Sequence, residues 1–182
     1  MLLLLCGGAA TAGVLLLRNA GPSSPSTDTN AAIPGLINYR ETQPGILTRQ
    51  HVGTTPTYPV KPPVGGNHDS VWQTCNGDVY ASPIGDAHAV HSLEHGAVWI
   101  TYRPDLPADQ LKSLIDKVSG RDYTMLSPYP TLDRPISLQA WGYQLKLDDA
   151  ADDRIDDFLN DFRMSASIEP GAPCSNGTTA PG

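Results

Sequence analysis

The chain has five histidines, and three of them fall in one short stretch, His88-Ala89-Val90-His91-Ser92-Leu93-Glu94-His95-Gly96. Glu94, in the same stretch, is one of only three glutamates among 19 acidic residues. The other two histidines, His51 and His68, lie upstream. Neutral imidazole is the commonest protein ligand for zinc and copper, and a site needs several within reach of one point. His91 and His95 are four apart, so on a helical turn they share one side, and His88 joins them at i−3. On a strand the same pair would sit about 13 Å apart, too far for one small ion. Chelation by this pair therefore requires a helical turn before Gly96. His68, which follows the turn Pro62-Pro63-Val64-Gly65-Gly66, can be folded onto it, and so can His51.

Other chemistries fit less well. His91-Ser92-Leu93-Glu94-His95 matches H-x-x-E-H, in which two histidines hold zinc and the glutamate activates water. That scheme needs a full helix and a third ligand on a second helix downstream. Here Gly96 and an apolar run follow at once, and the only downstream glutamate is Glu169, in Glu169-Pro170-Gly171. A metal-dependent hydrolase, with Glu94 as its catalytic group, is thus a secondary reading. The other alternative is an envelope scaffold whose histidines are held by backbone carbonyls. Ser92 lies in no G-x-S-x-G elbow and no Gly-rich loop follows a strand, which argues against a serine hydrolase and a nucleotide site. A net charge of −7 without any Lys/Arg cluster argues against a nucleic-acid partner.

The elements that must position these residues begin after an unusual N-terminus. Residues 2–17 are apolar or small and uncharged, and Arg18 ends the run. A span usually needs about 20 such residues, with about 17 the lower limit. Residues 1–18 are therefore expected to be a transmembrane or signal segment. Residues 19–32, rich in Ser, Thr, Pro and Asn, are expected to be a flexible linker. The chain then reads as a single-pass cell-membrane protein with one extracytoplasmic domain at 33–175 and a disordered tail at 176–182. Residues 33–85 are broken by proline: Thr55–Gly66 alone holds four prolines and two glycines. Val71-Trp72 and Val79-Tyr80 are possible strands there. This half has too little periodicity to fold alone and is expected to wrap the second half.

The second half is regular. Ala97–Tyr102 reads as a buried strand. Leu111, Leu114, Ile115 and Val118 mark a helix, with Gly120 just past its end. Tyr123–Leu126 reads as a strand, and Ile136–Leu147 as a strand or hairpin whose apolar phase changes at Trp141-Gly142. A second helix is expected from about Ala150 to Arg163, with Ile155, Phe158, Leu159 and Phe162 as its stripe and aspartates at its N-terminal end. This order predicts an α+β fold of ferredoxin-like type: a small antiparallel sheet with two helices on one face, its missing element supplied by the first half or the tail.

Three cysteines are present, and Cys6 lies in the apolar segment. In an exported domain Cys75 and Cys174 read as a disulfide. It would close a loop of roughly a hundred residues, worth up to ~4–5 kcal/mol in the chain-entropy model. Two unrelated buried thiols are the alternative.

Several separated motifs occur together: His51-Val52, Pro62-Pro63-Val64-Gly65-Gly66-Asn67-His68, Trp72-Gln73-Thr74-Cys75, Val90-His91-Ser92-Leu93-Glu94-His95-Gly96-Ala97-Val98, Leu126-Ser127-Pro128-Tyr129-Pro130, Ala140-Trp141-Gly142 and Glu169-Pro170-Gly171-Ala172-Pro173-Cys174. In this order the chain resembles the bacterial family catalogued as domain of unknown function 3105, over roughly residues 36–175. The resemblance implies an N-terminally anchored, exported protein. It implies that His51, His68, His91, Glu94 and His95 are motif residues, and His88 is not. It also implies that Cys75 and Cys174 are motif cysteines, which favours their pairing. The chain departs from the pattern at Asn76, which stands between Cys75 and Gly77 where cysteine and glycine are expected in sequence. The functional expectation is a His-rich site for copper or zinc at His51, His68, His91 and His95, serving metal handling or sensing, with Glu94 orienting an imidazole.

Overall fold

The computed structural model describes residues 33–182. The expected transmembrane or signal segment at 1–18 and the linker at 19–32 lie outside the described residues. Among the described residues there are six strands: β1 (Ile37–Asn38), β2 (Asn76–Val79), β3 (Val98–Tyr102), β4 (Thr124–Pro128), β5 (Ile136–Ala140) and β6 (Tyr143–Leu147). Four α-helices accompany them in the same described residues: α1 (Tyr39–Thr42), α2 (Asp86–His95), α3 (Ala108–Val118) and α4 (Arg154–Phe162). No named element lies between Ile46 and Asn76.

The strands form one sheet in the order β1-β6-β5-β3-β4-β2. The α+β class holds, but the sheet is mixed. β1, β6, β5 and β3 are antiparallel neighbours, whereas β3, β4 and β2 are parallel. In a ferredoxin-like unit another strand separates the two strands joined by a helix. Here α3 returns the chain directly beside β3, in register from Val98↔Thr124 to Tyr102↔Pro128. Both sheet edges come from the first half of the chain, as β1 and β2.

Strand alternation divides the core between two faces. On one face Val98, Ile100, Leu126, Ile136 and Leu138 pack against Leu114 and Val118 of α3 and Ile155, Phe158 and Leu159 of α4. On the other, Trp99 and Met125 pack against Ala89, Val90 and Leu93 of α2. Every residue of β3, β4 and β5 is therefore buried. Full burial of each large apolar side chain stabilises by roughly 1.5–3 kcal/mol, so the sheet is a rigid floor beneath α2.

Local departures from expectation have local causes. The phase change at Trp141-Gly142 is a two-residue turn, since Ala140 pairs with Tyr143 and Gly142 has φ +80. α4 begins at Arg154 rather than near 150, because the Asp152 carboxylate takes the Arg154 backbone N–H at 3.0 Å and pairs with its guanidinium. Val71-Trp72 forms no strand. Gln73 instead makes an isolated parallel bridge to Thr178. That bridge corrects the expected disordered tail at 176–182: Thr178 N–H donates to Trp72 O at 2.8 Å and Gly182 N–H to Pro83 O at 2.9 Å. Asn76 is absorbed in a β-bulge, the register shifting between Asn76 and Asp78 across Gly77 at φ +82.

Candidate metal centre

The ten-residue helix α2 carries His91, Glu94 and His95. It stops at Gly96, whose φ of +106 lets its N–H reach Leu93 O while Ala97 N–H reaches Ser92 O. The helix is buried from Ala89 to His95, sheet on one side and the proline-rich half on the other. That half delivers two more histidines. His51 and His68 form a parallel bridge, with Val52 N–H donating to His68 O at 2.8 Å and His68 N–H to Gln50 O at 3.0 Å. The turn before His68 needs its glycines: Gly65 has φ +153, and a Cβ there would meet Leu47 Cδ2 at 2.8 Å.

Each of three histidine rings is oriented by a backbone carbonyl. Nδ1 of His68 meets Gly66 O at 2.8 Å, Nδ1 of His91 meets Asp69 O at 2.8 Å, and Nδ1 of His95 meets Pro173 O at 2.7 Å. A carbonyl only accepts, so in each ring Nδ1 carries the proton. In the neutral rings this leaves the lone pair on Nε2, which is the tautomer a metal ligand needs. The rings converge: His51 stacks on His91 at 4.7 Å between centroids, His68 lies 4.9 Å from His91, and His91 lies 4.5 Å from His95. Trp72 stands over His95 at 5.0 Å, and Trp141 meets His68 edge-on at 6.0 Å.

The donor atoms gather in two sets. Ligand atoms of His51, His68, His91 and Glu94 all lie within 4.8 Å of one another, and so do those of His91, His95 and Glu169. His68 Nε2 is 2.8 Å from Glu94 Oε2, and His95 Nε2 is 3.6 Å from Glu169 Oε2. Two donors on a tetrahedral zinc ion, each about 2.0–2.1 Å from it, stand about 3.3 Å apart. The most telling atom is His68 Nε2. It is buried and close to Glu94, yet no partner meets it in hydrogen-bond geometry. A lone pair facing a carboxylate at that distance is repulsive unless a cation, a proton included, lies between them.

The electrostatics follow from burial. Burial pushes His91 down to about 4, helped by the neighbouring His95, His68 and His51 and opposed by the Asp69 carbonyl. Burial likewise lowers His95, against the pull of the Pro173 carbonyl, Glu169 and Glu94. Burial would lower His68 too, but its contact with Glu94 and the Gly66 carbonyl outweighs this and its pKa is raised. Glu94 is the mirror case: burial would raise it, and His68 holds it below the usual carboxylate range.

All four expected ligands, His51, His68, His91 and His95, are thus brought to one place, with His95 in the set that holds Glu169. Glu94 contributes a donor atom of its own. His88 lies outside both sets, its Nδ1 against Val71 O at 2.6 Å. Glu169 is the residue that sequence reasoning set aside. The tail carries it there: Ile168 and Glu169 donate their N–H groups to Glu94 O at 3.1 and 3.3 Å, and a disulfide joins Cys174 to Cys75. Its scarcity and its place five residues before a cysteine were the available signals. A cleft of about 350 Å³, lined by Arg49, His51, Glu94, Ile168 and Glu169, opens onto both sets.

A family model described as Protein of unknown function (DUF3105) matches residues 50–176. The chain belongs to this family. The DUF3105 match runs from just before His51 to just past Cys174, so every donor and both disulfide cysteines fall inside it. Neither the curated proteins nor the solved structures give a match to the chain.

Proposed function

We propose that this DUF3105 chain binds a transition-metal ion, copper or zinc, at the cluster of His51, His68, His91, His95 and Glu94, and that it handles or senses that ion at the outer face of a cell membrane. The observation that carries the reading is the convergence of donor atoms from His51, His68, His91 and Glu94, all within 4.8 Å of one another around the buried His68 Nε2. A proton on Nε2 would relieve that one contact with Glu94 in a scaffold, but a scaffold has no need for three histidines and a carboxylate within 4.8 Å of one another, whereas a metal ion is held by all four. The donors are imidazole and carboxylate, which suits zinc or copper(II), and the two cysteines of the domain are taken up in the disulfide. A disulfide also fits an exported domain. Anchoring rests on the apolar residues 2–17. Among the described residues no helix is long and apolar enough to cross a membrane.

A metal-dependent hydrolase is the second reading, because α2 is a full helix carrying H-x-x-E-H beside a cleft. In that scheme Glu94 must be free to take a proton from water, but here it faces His68. This geometry favours handling over turnover.

The test is elemental analysis of the untagged full chain offered copper and zinc, beside its His68→Ala/His91→Ala form. Wild type is expected to retain one equivalent through dialysis and the variant almost none. Equal, near-zero metal in both would leave the scaffold reading standing.

A further inference from the structure

We infer that the cluster offers a single ion two overlapping positions with His91 as their common ligand. The first is made by His68, Glu94, His91 and His51, and the second by His91, His95 and Glu169. This rests on the metal-binding reading above and adds how the ion is held and passed on.

The two sets are alternatives because they compete for one lone pair. His91 Nδ1 is committed to the Asp69 carbonyl at 2.8 Å, so only Nε2 is available, and both sets need it. An ion in the second position must release His68 and Glu94, and an ion in the first must release His95 and Glu169. His91 can keep hold throughout.

The second set is built, not incidental. The His95 ring is fixed by the Pro173 carbonyl at 2.7 Å, and in the neutral ring this leaves the lone pair on Nε2. Glu169 Oε2 at 3.6 Å is therefore no hydrogen-bond partner, and stands near the spacing of two donors on one ion. Glu169 has an exposed side chain, but its backbone is tied to Glu94 O, and Ser167 Oγ donates to the same carbonyl at 3.0 Å. Cys174 pins the far end of that turn to Cys75.

Exposure gives the arrangement its use. Each set combines buried imidazole with one half-exposed donor on the cleft: the side chain of His51 is 51% exposed and that of Glu169 is 59% exposed. Structural metal sites are closed, with all ligands contributed from within. Here an incoming chelator can displace the exposed donor of either set while His91 keeps the ion. Such an ion is transferable cargo.

The test uses cobalt(II) as a spectroscopic probe on the full chain, reading stoichiometry, affinity and the visible spectrum. Wild type is expected to bind one ion. Glu94→Gln and His68→Ala, which dismantle the first position, should each still bind one ion with an altered spectrum. Adding Glu169→Gln to either should weaken binding a further ~10-fold or more, the scale of losing a group that fixes a metal site. Glu169→Gln alone should keep one ion and shift the spectrum the other way. If Glu169→Gln changes nothing in any background, or if wild type holds two ions, the two-position inference is overturned while metal binding stands. If wild type binds none, the metal-binding reading itself falls. Circular dichroism of each variant separates lost ligands from lost folding.

Discussion

At the scale of single residues, His91 is the pivot of the site and the one most altered by its surroundings. Its pKa, held at about 4 by burial, lies below the 6.5 of a free imidazole. A histidine lowered on folding takes up a proton on unfolding, so it costs stability as pH falls from about 6.5 towards about 4. The shift corresponds to a loss of up to about 3 kcal/mol at the acid end. His68 acts in the opposite sense. Its raised pKa contributes stability that is complete below about 6.5 and is lost as pH rises through the folded value. Denaturant melts of the metal-free chain at pH 7 and pH 5 should therefore show a smaller acid-induced loss in His91→Gln than in wild type. Equal losses would contradict the burial account. Four donors are legible in the sequence because histidine is scarce and three of the five sit together. Scarcity marks Glu169 out, but its role is not legible: its approach to His95 depends on a chain path fixed by backbone hydrogen bonds to Glu94 O, and those leave no mark in spacing.

At the scale of elements, the site depends on where α2 stops. Gly96 combines φ +106 with close approach: a Cβ would meet Ser167 Cβ at 2.9 Å and Met164 Cα at 3.0 Å. Gly96→Ala is expected to cost about 1–3 kcal/mol in backbone strain. It should also push away the segment that leads to Glu169. A thermal melt would register the first effect, and the cobalt spectrum would register the second as a loss of the second position. An alanine variant that melts like wild type would show that this turn is not under constraint. The buried strand β3, the helix α3 and the β5–β6 hairpin could be read from apolar periodicity, since each is a local pattern. The parallel pairing of β2 could not. Asn76–Val79 has little apolar character, and its place is set by β4 and by the bulge at Gly77.

At the scale of the whole molecule, the Cys75–Cys174 disulfide spans 99 residues and joins the tail to the start of β2. Replacing both by serine should lower stability by up to ~4–5 kcal/mol in the chain-entropy account. The same variant should loosen the Pro173 carbonyl from His95 and leave only the first metal position occupied. Comparing unfolding and the cobalt spectrum, oxidised wild type against the double variant, checks both. An unchanged spectrum would mean that backbone hydrogen bonds alone hold the tail. The two rims of the sheet carry a different consequence. A bare strand rim is a template on which a second copy can add itself, ladder after ladder, into a fibre. Here one rim is the two-residue β1, and the other is the four-residue β2, which carries Asp78 and is broken by a bulge. Neither is long or flat enough to seed cross-β growth, so molecules concentrated side by side are protected from stacking.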